Sequence, residues 1–411
     1  MEIYNIAYNL YVQDGEHEPK QMTNFTPVIE TAYYPLESSQ DDIPAYLGIQ
    51  LILEDGSVRS LTLPMTSNLA RTIVAEEPRA VLLKTGYAPL VQKYIVDQLS
   101  KTGRSGECQR GVYLPGNGTY RLADGQHVTV WNGRVAGSTK LEVPYMIKPT
   151  NTYRITNSID RPVPTLVRTL LENDAALVLP VAYALLVSRR DVLTAEQHPL
   201  QGGLYITGVQ SSGKTTLARR VFGYTERIGI PGKAALVLEA VSTEASVRDT
   251  LSENPGCVVI IDDLAHSSSR TIEAHRKKLG GAMLRLAANE GDSTKKGKTG
   301  KTDHRDCTSG IALTAEFVLD GVSELTRSIF VYLEKKLNLT EDVRPALIGA
   351  ILEDFADWFA DNYEHAIELL HKIADSPDIL KNLRVDGADE FTELLTRERR
   401  IQDNLALLQW A

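Results

Sequence analysis

The sequence predicts a three-part chain: a β-rich α+β region, an α/β region built on a parallel sheet sandwiched by helices, and a helical C-terminal region. Three observations carry this reading. Residues 1–149 alternate short apolar and polar runs between turn signals, residues 150–336 alternate apolar strands with helical stretches, and residues 337–411 keep apolar residues at three-to-four spacing.

In the first region, YLGIQLILEDGSVRSLTL and GVYLPGNGTYRLADGQHVTVWNG read as strands. Asp55-Gly56, Asp124-Gly125 and the Gly116-Asn117-Gly118 cluster stand where hairpin turns belong, so antiparallel pairing is expected. One helix over 87–100 interrupts them. In the second region, 164–192 has a helical period, and strands are expected at 203–207, 235–238, 257–261, 310–314 and 329–333. In the third, Leu347, Ile348, Ile351, Leu352, Phe355, Trp358 and Phe359 form a stripe that predicts core packing or a subunit contact.

Composition excludes several classes. At 411 residues the chain is long enough for two or three domains, and its 43% hydrophobic content is that of a globular protein. Cys108, Cys257 and Cys307 are too dispersed for a zinc site or a disulfide framework, and a reducing cytoplasm fits best. The opening MEIYNIAYNLYVQDGEHE lacks a basic segment leading into an apolar run. The most apolar stretch, AALVLPVAYALLVS, is too short to span a bilayer and contains Pro180, so no membrane contact is expected. A net charge of −9 confines any nucleic-acid contact to a local patch or pore.

The strongest chemical signal is LYITGVQSSGKTTLARRVFG. Gly208, Val209, Gln210, Ser211, Ser212, Gly213, Lys214 and Thr215 have the GxxxxGKT spacing of a phosphate loop between a strand and a helix that opens through Thr216. Glycines let backbone amides turn inward around phosphates, and the helix N-terminus favours negative charge. Lys214 is expected on the β and γ phosphates of ATP, and the Thr215 hydroxyl on Mg2+. The region therefore reads as a P-loop NTPase core.

Further along, CVVIIDDLA delivers Asp262 and Asp263 at the end of an apolar run. Asp262 is expected on the magnesium side, and Asp263 is expected to orient the attacking water. SGIALTAEF places Thr314 and Glu316 at another strand end, suited to positioning water, although a simple strand-end threonine reads equally from sequence. SELTRSIFVYLE places Arg327 where an arginine finger reaching a neighbouring subunit would stand; an ordinary surface arginine is the alternative.

These segments, with LRLAANEG between them, follow one another in an order that resembles the P-loop proteins of phages, plasmids and integrative elements, a domain of unknown function found in primase-helicase polypeptides. GIQLILEDGSVRSLTLP and RGVYLPGNGTYRLADGQ look like the β-rich half that precedes the ATPase there. The resemblance implies an AAA+-like, superfamily-3-helicase-like ATPase, a homo-oligomeric ring such as a hexamer, acting on single-stranded or forked DNA in replication or mobilisation of an element. It assigns Lys214, Thr215, Asp262, Asp263, Thr314 and Arg327 the roles given above. Ala315 departs from the family's Thr-Gly-Glu at that strand end. No primase domain is fused to this chain, so priming would need a separate partner. The chain stops at NLALLQWA, inside an apolar pattern where relatives continue, which leaves a missing part of the C-terminal lid open.

STKKGKTGKTDHRD contains two further GKT triplets, but a phosphate loop would need glycine where Asp292 and Lys295 stand. What remains is local positive charge: Lys295, Lys296, Lys298, Lys301 and Arg305, in a loop between the Asp263 and Thr314 strands. In ring helicases of the resembled type this segment faces the pore, which implies contact with DNA phosphates; a solvated loop is the alternative. Two other functions stay open for the whole chain. One is a non-motor NTP-binding switch or a regulatory or defence ATPase acting on a protein partner, and the other is a small-molecule kinase.

Overall fold

A computed structural model of the chain describes residues 2–36, 43–66, 68–105, 107–149, 153–156, 175–230, 233–288, 294–296, 302–304, 308–317, 319, 322–341, 343–374 and 399–411. Contacts divide it into two compact units: Met1–Pro115 with Leu122–Asp124 and Lys140–Lys148, and Gly116–Arg121 with Gly125–Thr139 and Pro149–Ala411. Each unit is assembled from several stretches, so the strand-rich first third of the chain contributes to both.

The first unit opens with β1 (Glu2–Ile6), β2 (Asn9–Gln13) and β3 (Lys20–Gln21), an antiparallel sheet. Next come β4 (Phe25–Pro35), β5 (Tyr46–Leu53), β6 (Val58–Pro64), α1 (Leu69–Glu76), α2 (Ala88–Ser105) and β7 (Gln109–Leu114). Strict alternation in β5 buries Leu47, Ile49, Leu51 and Leu53 on one face. They pack with Leu69 and Ile73 of α1 and Val91 and Ile95 of α2. Burying each such side chain contributes about 1.5–3 kcal/mol. Asp55-Gly56 makes the expected turn between the antiparallel β5 and β6.

Antiparallel pairs predominate as expected, β1 with β2, β2 with β3, β4 with β5 and β5 with β6, but β7 lies parallel to β4. Parallel neighbours need a crossover, which α2 supplies, and alternation in sequence carries no information about strand direction. The chain continues through β8 (Gly118–Arg121), β9 (His127–Trp131) and β10 (Arg134–Val135) of the second unit before β11 (Tyr145–Ile147) pairs parallel to β7. β7 and β8 thus belong to different sheets, and Gly116-Asn117-Gly118 is no hairpin turn. Asn117 there accepts the Asn132 backbone N–H at 2.9 Å. Asp124-Gly125 does lie in the connection between the paired β8 and β9.

The second unit continues with β12 (Tyr153–Ile155), α3 (Val178–Ser188), α4 (Arg190–Ala195), β13 (Gly203–Gly208), α5 (Lys214–Phe222), β14 (Thr225–Arg227) and β15 (Val237–Glu239). After these stand α6 (Glu244–Glu253), β16 (Val258–Leu264), α7 (Arg270–Ala287), β17 (Thr294–Lys296), β18 (Thr302–His304), β19 (Gly310–Ala315), α8 (Val322–Leu325) and β20 (Ser328–Leu333). The C-terminal helices are α9 (Pro345–Asp361), α10 (Tyr363–Ala374) and α11 (Arg399–Trp410). The expected helical stretch lies outside the described residues at 164–174; beyond it, Pro180 is tolerated because it falls in the first turn of α3.

Five of these strands form one sheet in the order β15-β16-β19-β13-β20, with every neighbouring pair parallel. Val258, Val259, Ile260 and Ile261 are fully buried, as are Leu204 to Ile206 and Ile311 to Leu313. A sheet covered on both faces requires such continuous apolar runs. The expected strands are all present, with β15 beginning two residues later than expected. β16 runs on to Leu264 through an irregularity in its pairing between Ile261 and Leu264. The Tyr183 hydroxyl of α3 accepts the Ile311 backbone N–H at 3.0 Å, tying that helix to β19.

The α9 stripe is mostly core: Leu347, Ile348, Ile351, Leu352 and Phe359 are buried, whereas Trp358 is 42% exposed and stacks on Phe355. The other face of α9 is held to β10 by Arg134, whose guanidinium donates to Glu353 at 2.9 Å and Asp357 at 2.8 Å. The basic segment read as a loop contains an antiparallel pair, β17 with β18, in which Lys295 stands opposite Asp303. No helix among the described residues is long and apolar enough to cross a membrane.

Candidate active site

The site forms at the C-terminal edge of the parallel sheet, where β13 turns into α5. Gly208 has φ +146°, and a Cβ there would lie 2.3 Å from the Leu333 carbonyl oxygen, so β20 and the loop can approach only across a glycine. Ser211 (φ +60°) and Gly213 (φ +97°) also turn left-handed, curling the 208–215 loop back before α5 begins. The Val209 N–H donates to Leu333 O at 3.2 Å, and the Leu337 N–H donates to Ser212 O at 2.9 Å. The first-turn N–H groups of a helix have no intrahelical acceptor, which leaves those of α5 able to meet an anion.

Lys214 folds its side chain under the loop, where its Nζ donates to the carbonyl oxygens of Gly208 (3.1 Å) and Val209 (2.9 Å). The Ser212 hydroxyl is buried without a hydrogen-bond partner among the described residues. Beside the loop lies a cavity of about 400 Å3 bounded by Lys214, Thr215, Thr216, Asp263, Thr314 and Glu316.

The two strands carrying the expected acids and threonine are neighbours, β16 beside β19, and their ends interlock. Asp262 Oδ1 accepts from the Thr215 hydroxyl at 2.8 Å and from the Thr314 hydroxyl at 2.6 Å, and its Oδ2 accepts from Arg219 at 3.1 Å. Thr314 also accepts the Asp263 N–H at 3.1 Å. One buried hydroxyl therefore joins both acidic residues. The Glu316 N–H donates to Leu264 O at 3.1 Å, closing the two strand ends together. Behind them the Tyr205 hydroxyl donates to Phe317 O at 2.6 Å, and burial pushes that phenol's pKa up, keeping it a neutral donor.

A hydroxyl and a carboxylate side by side next to an ammonium group fit a hard cation together with phosphate oxygens. Cations of that kind keep much of their shell from substrate and water, and Thr215 and Asp262 are the side chains that could hold one here.

Arg327 does not join this group. It precedes β20 at the opposite end of the sheet, where Ser328 pairs with Gly203, while Leu333 pairs with Gly208 at the loop end. Five residues of strand separate the two ends, about 17 Å at the strand rise. Lys295 and Lys296 lie on β17; Lys298, Lys301 and Arg305 lie outside the described residues. Two arginines at the acids were not singled out by sequence reasoning. Arg219 has a sequence signal, standing four residues after Thr215 and so on the same face of α5. Arg276, which reaches Asp263 from α7, has none.

The fold is helicase-like. It matches the SCCmec type IV Cch active helicase with a TM-score of 0.59 at 13% identity, over 99% of this chain and 73% of that one. JCV helicase in complex with a thiazolopyridine compound aligns at 12% identity over 60% of each chain, but with a TM-score of 0.25 that likeness carries no argument. No family model matches the chain, and no curated protein matches it by sequence.

Proposed function

We propose that the chain is an ATP-hydrolysing, P-loop DNA translocase or helicase-like motor acting in replication or mobilisation of a mobile genetic element. One observation carries the reading: the Thr215, Asp262 and Thr314 side chains meet beside the 208–215 loop at the edge of a parallel sheet. Likeness in fold to the SCCmec type IV Cch active helicase supports it.

In this reading the 208–216 backbone and Lys214 hold the phosphates, with Lys214 exchanging its two loop carbonyls for phosphate oxygens. Thr215 and Asp262 would hold Mg2+, which would supply positive charge next to the transferred phosphoryl group. Asp263 orients the attacking water, Glu316 and Thr314 line its position, and Thr314 fixes the Asp262 carboxylate. Arg327, remote from its own chain's loop, acts on a neighbouring subunit's site, which makes a ring such as a hexamer the working form. The β17–β18 pair with Lys295, Lys296, Lys298, Lys301 and Arg305 grips single-stranded or forked DNA through phosphates. A separate primase or replication protein is the proposed partner, and the cytoplasm is the proposed compartment.

The test is ATP turnover with and without single-stranded DNA for wild type and Lys214→Ala, with particle images of the ATP-bound protein. DNA stimulation that depends on Lys214, together with rings, is expected; turnover indifferent to DNA and particles without rings would sink the motor reading. The acidic balance of −9 favours one second reading, a non-motor switch acting on a protein partner. A co-purifying protein that alters turnover while DNA does not would raise it.

A further inference from the structure

Resting on that nucleotide-site reading, we propose that Arg276 is a positioning residue. It holds the Asp263 carboxylate out of the phosphate cavity, and the pair has to open before Asp263 can orient water.

Asp263 stands on the wall between two cavities. One is the phosphate cavity, and the other, of about 960 Å3, is lined by Arg219, Arg220, Lys233, Glu239 and Arg276 as well as the two acids. Arg276 belongs to the second cavity only, and its Nη2 donates to Asp263 Oδ2 at 3.3 Å. Asp263 thus borders both cavities, and the cation that engages its carboxylate lines the second.

The backbone beneath it is fixed. β16 loses its regular pairing between Ile261 and Leu264, and Asp263 takes φ +69°, a left-handed conformation that aspartate tolerates better than most residues. The Asp263 N–H is tied to Thr314. With the main chain held in place, the direction of the carboxylate is decided by its side-chain torsions and by whatever cation it meets.

Arg276 is built to be that cation. Its side chain is only 14% exposed, and its Nη1 is anchored on the Ala265 carbonyl at 2.7 Å, two residues beyond Asp263. Its Nε is buried without a hydrogen-bond partner among the described residues. Asp262, by contrast, already accepts from Thr215, Thr314 and Arg219. The Asp263 end of the pair is 66% exposed and the single contact is long, so the interaction is a weak one that water can compete for. An anchored arginine with a weak, solvent-accessible grip on a carboxylate makes a reversible hold rather than a permanent structural tie.

The experiment measures steady-state ATP turnover of wild type, Arg276→Gln and Arg276→Lys without DNA. Opening a pair of this strength permits a gain of about two- to fivefold in kcat for Arg276→Gln. KM for ATP is expected to stay unchanged, and Arg276→Lys, which restores the cation, is expected to return kcat toward wild type. Adding Asp263→Asn to Arg276→Gln should erase the gain, because the hold acts only through that carboxylate. A kcat for Arg276→Gln at or below wild type with an unchanged melting temperature overturns the proposal, and so does a gain that survives Asp263→Asn. Binding of a fluorescent ATP analogue to wild type and Lys214→Ala reports separately on the nucleotide site. If the two bind alike, the site reading fails, whatever Arg276 does.

Discussion

Thr314→Val tests the link between the two acidic residues with an almost isosteric change. Thr314 is 2% exposed, and its hydroxyl donates to Asp262 at 2.6 Å and accepts the Asp263 N–H at 3.1 Å. Valine removes a hydrogen bond to a charged group, worth about 1.5–3 kcal/mol, and orphans an N–H at a cost of about 1–3 kcal/mol. Low values apply to both, because Asp262 keeps Thr215 and Arg219 and because the exposed Asp263 lets water approach its N–H. The total is about 2.5 kcal/mol, and at about 2–4 °C per kcal/mol for a unit of this size the melting temperature should fall by about 5–10 °C. Thr314→Ser keeps the hydroxyl and loses one methyl group, about 0.8 kcal/mol, so it should fall by only about 2–3 °C. Scanning calorimetry of wild type and both variants, with ATP turnover measured in parallel, checks this. Equal melting temperatures for the valine and serine variants would refute the bridging role of the hydroxyl.

Three further outcomes are expected. Gly208→Ala forces a Cβ to within 2.3 Å of Leu333 O at φ +146°, so it should cost about 2–6 kcal/mol from strain and overpacking and lower nucleotide affinity; thermal unfolding and analogue binding report both. The hydrogen bond from Arg134 holds the Asp357 carboxyl below its usual pKa. A lowered carboxylate stabilises fully above its unfolded value of about 3.9, and that stability is lost as pH falls through the lower folded value. The difference in unfolding free energy between wild type and Asp357→Asn, read from urea titrations, should hold from pH 7 to about 5, stay at or below about 1 kcal/mol because the pair is partly exposed, and close in stronger acid. Replacing Lys295, Lys296, Lys298 and Lys301 together with alanine should weaken single-stranded DNA binding and reduce its salt slope by about 0.7 for each phosphate left without its lysine, while ATP binding persists. Salt-titrated fluorescence anisotropy measures the slope, and unchanged DNA affinity would favour a solvated segment.

Features set by local chemistry can be read from the residues alone. The 208–215 loop is legible because eight contiguous residues carry their own turn glycines, cation and hydroxyl. The five parallel strands are legible because burial on both faces demands unbroken apolar runs such as CVVII and GIAL. The stripe on α9 follows from helical period, with Trp358 left exposed because only packing decides how wide the buried face is. The residues that need partners from afar were decided by the tertiary structure alone. Strand order sets β19 against β16, and only that adjacency lets the Thr314 hydroxyl reach both Asp262 and Asp263. The crossover through α2 sets β7 parallel to β4, which alternation cannot signal. Parallel register carries Arg327, which precedes its strand, to the far end of that strand from the loop. Arg276 meets Asp263 only because α7 packs back along the strand end. Periodicity records which face of an element is buried, whereas order, direction and register come from the packing of whole elements, and the contacts at this site depend on all three.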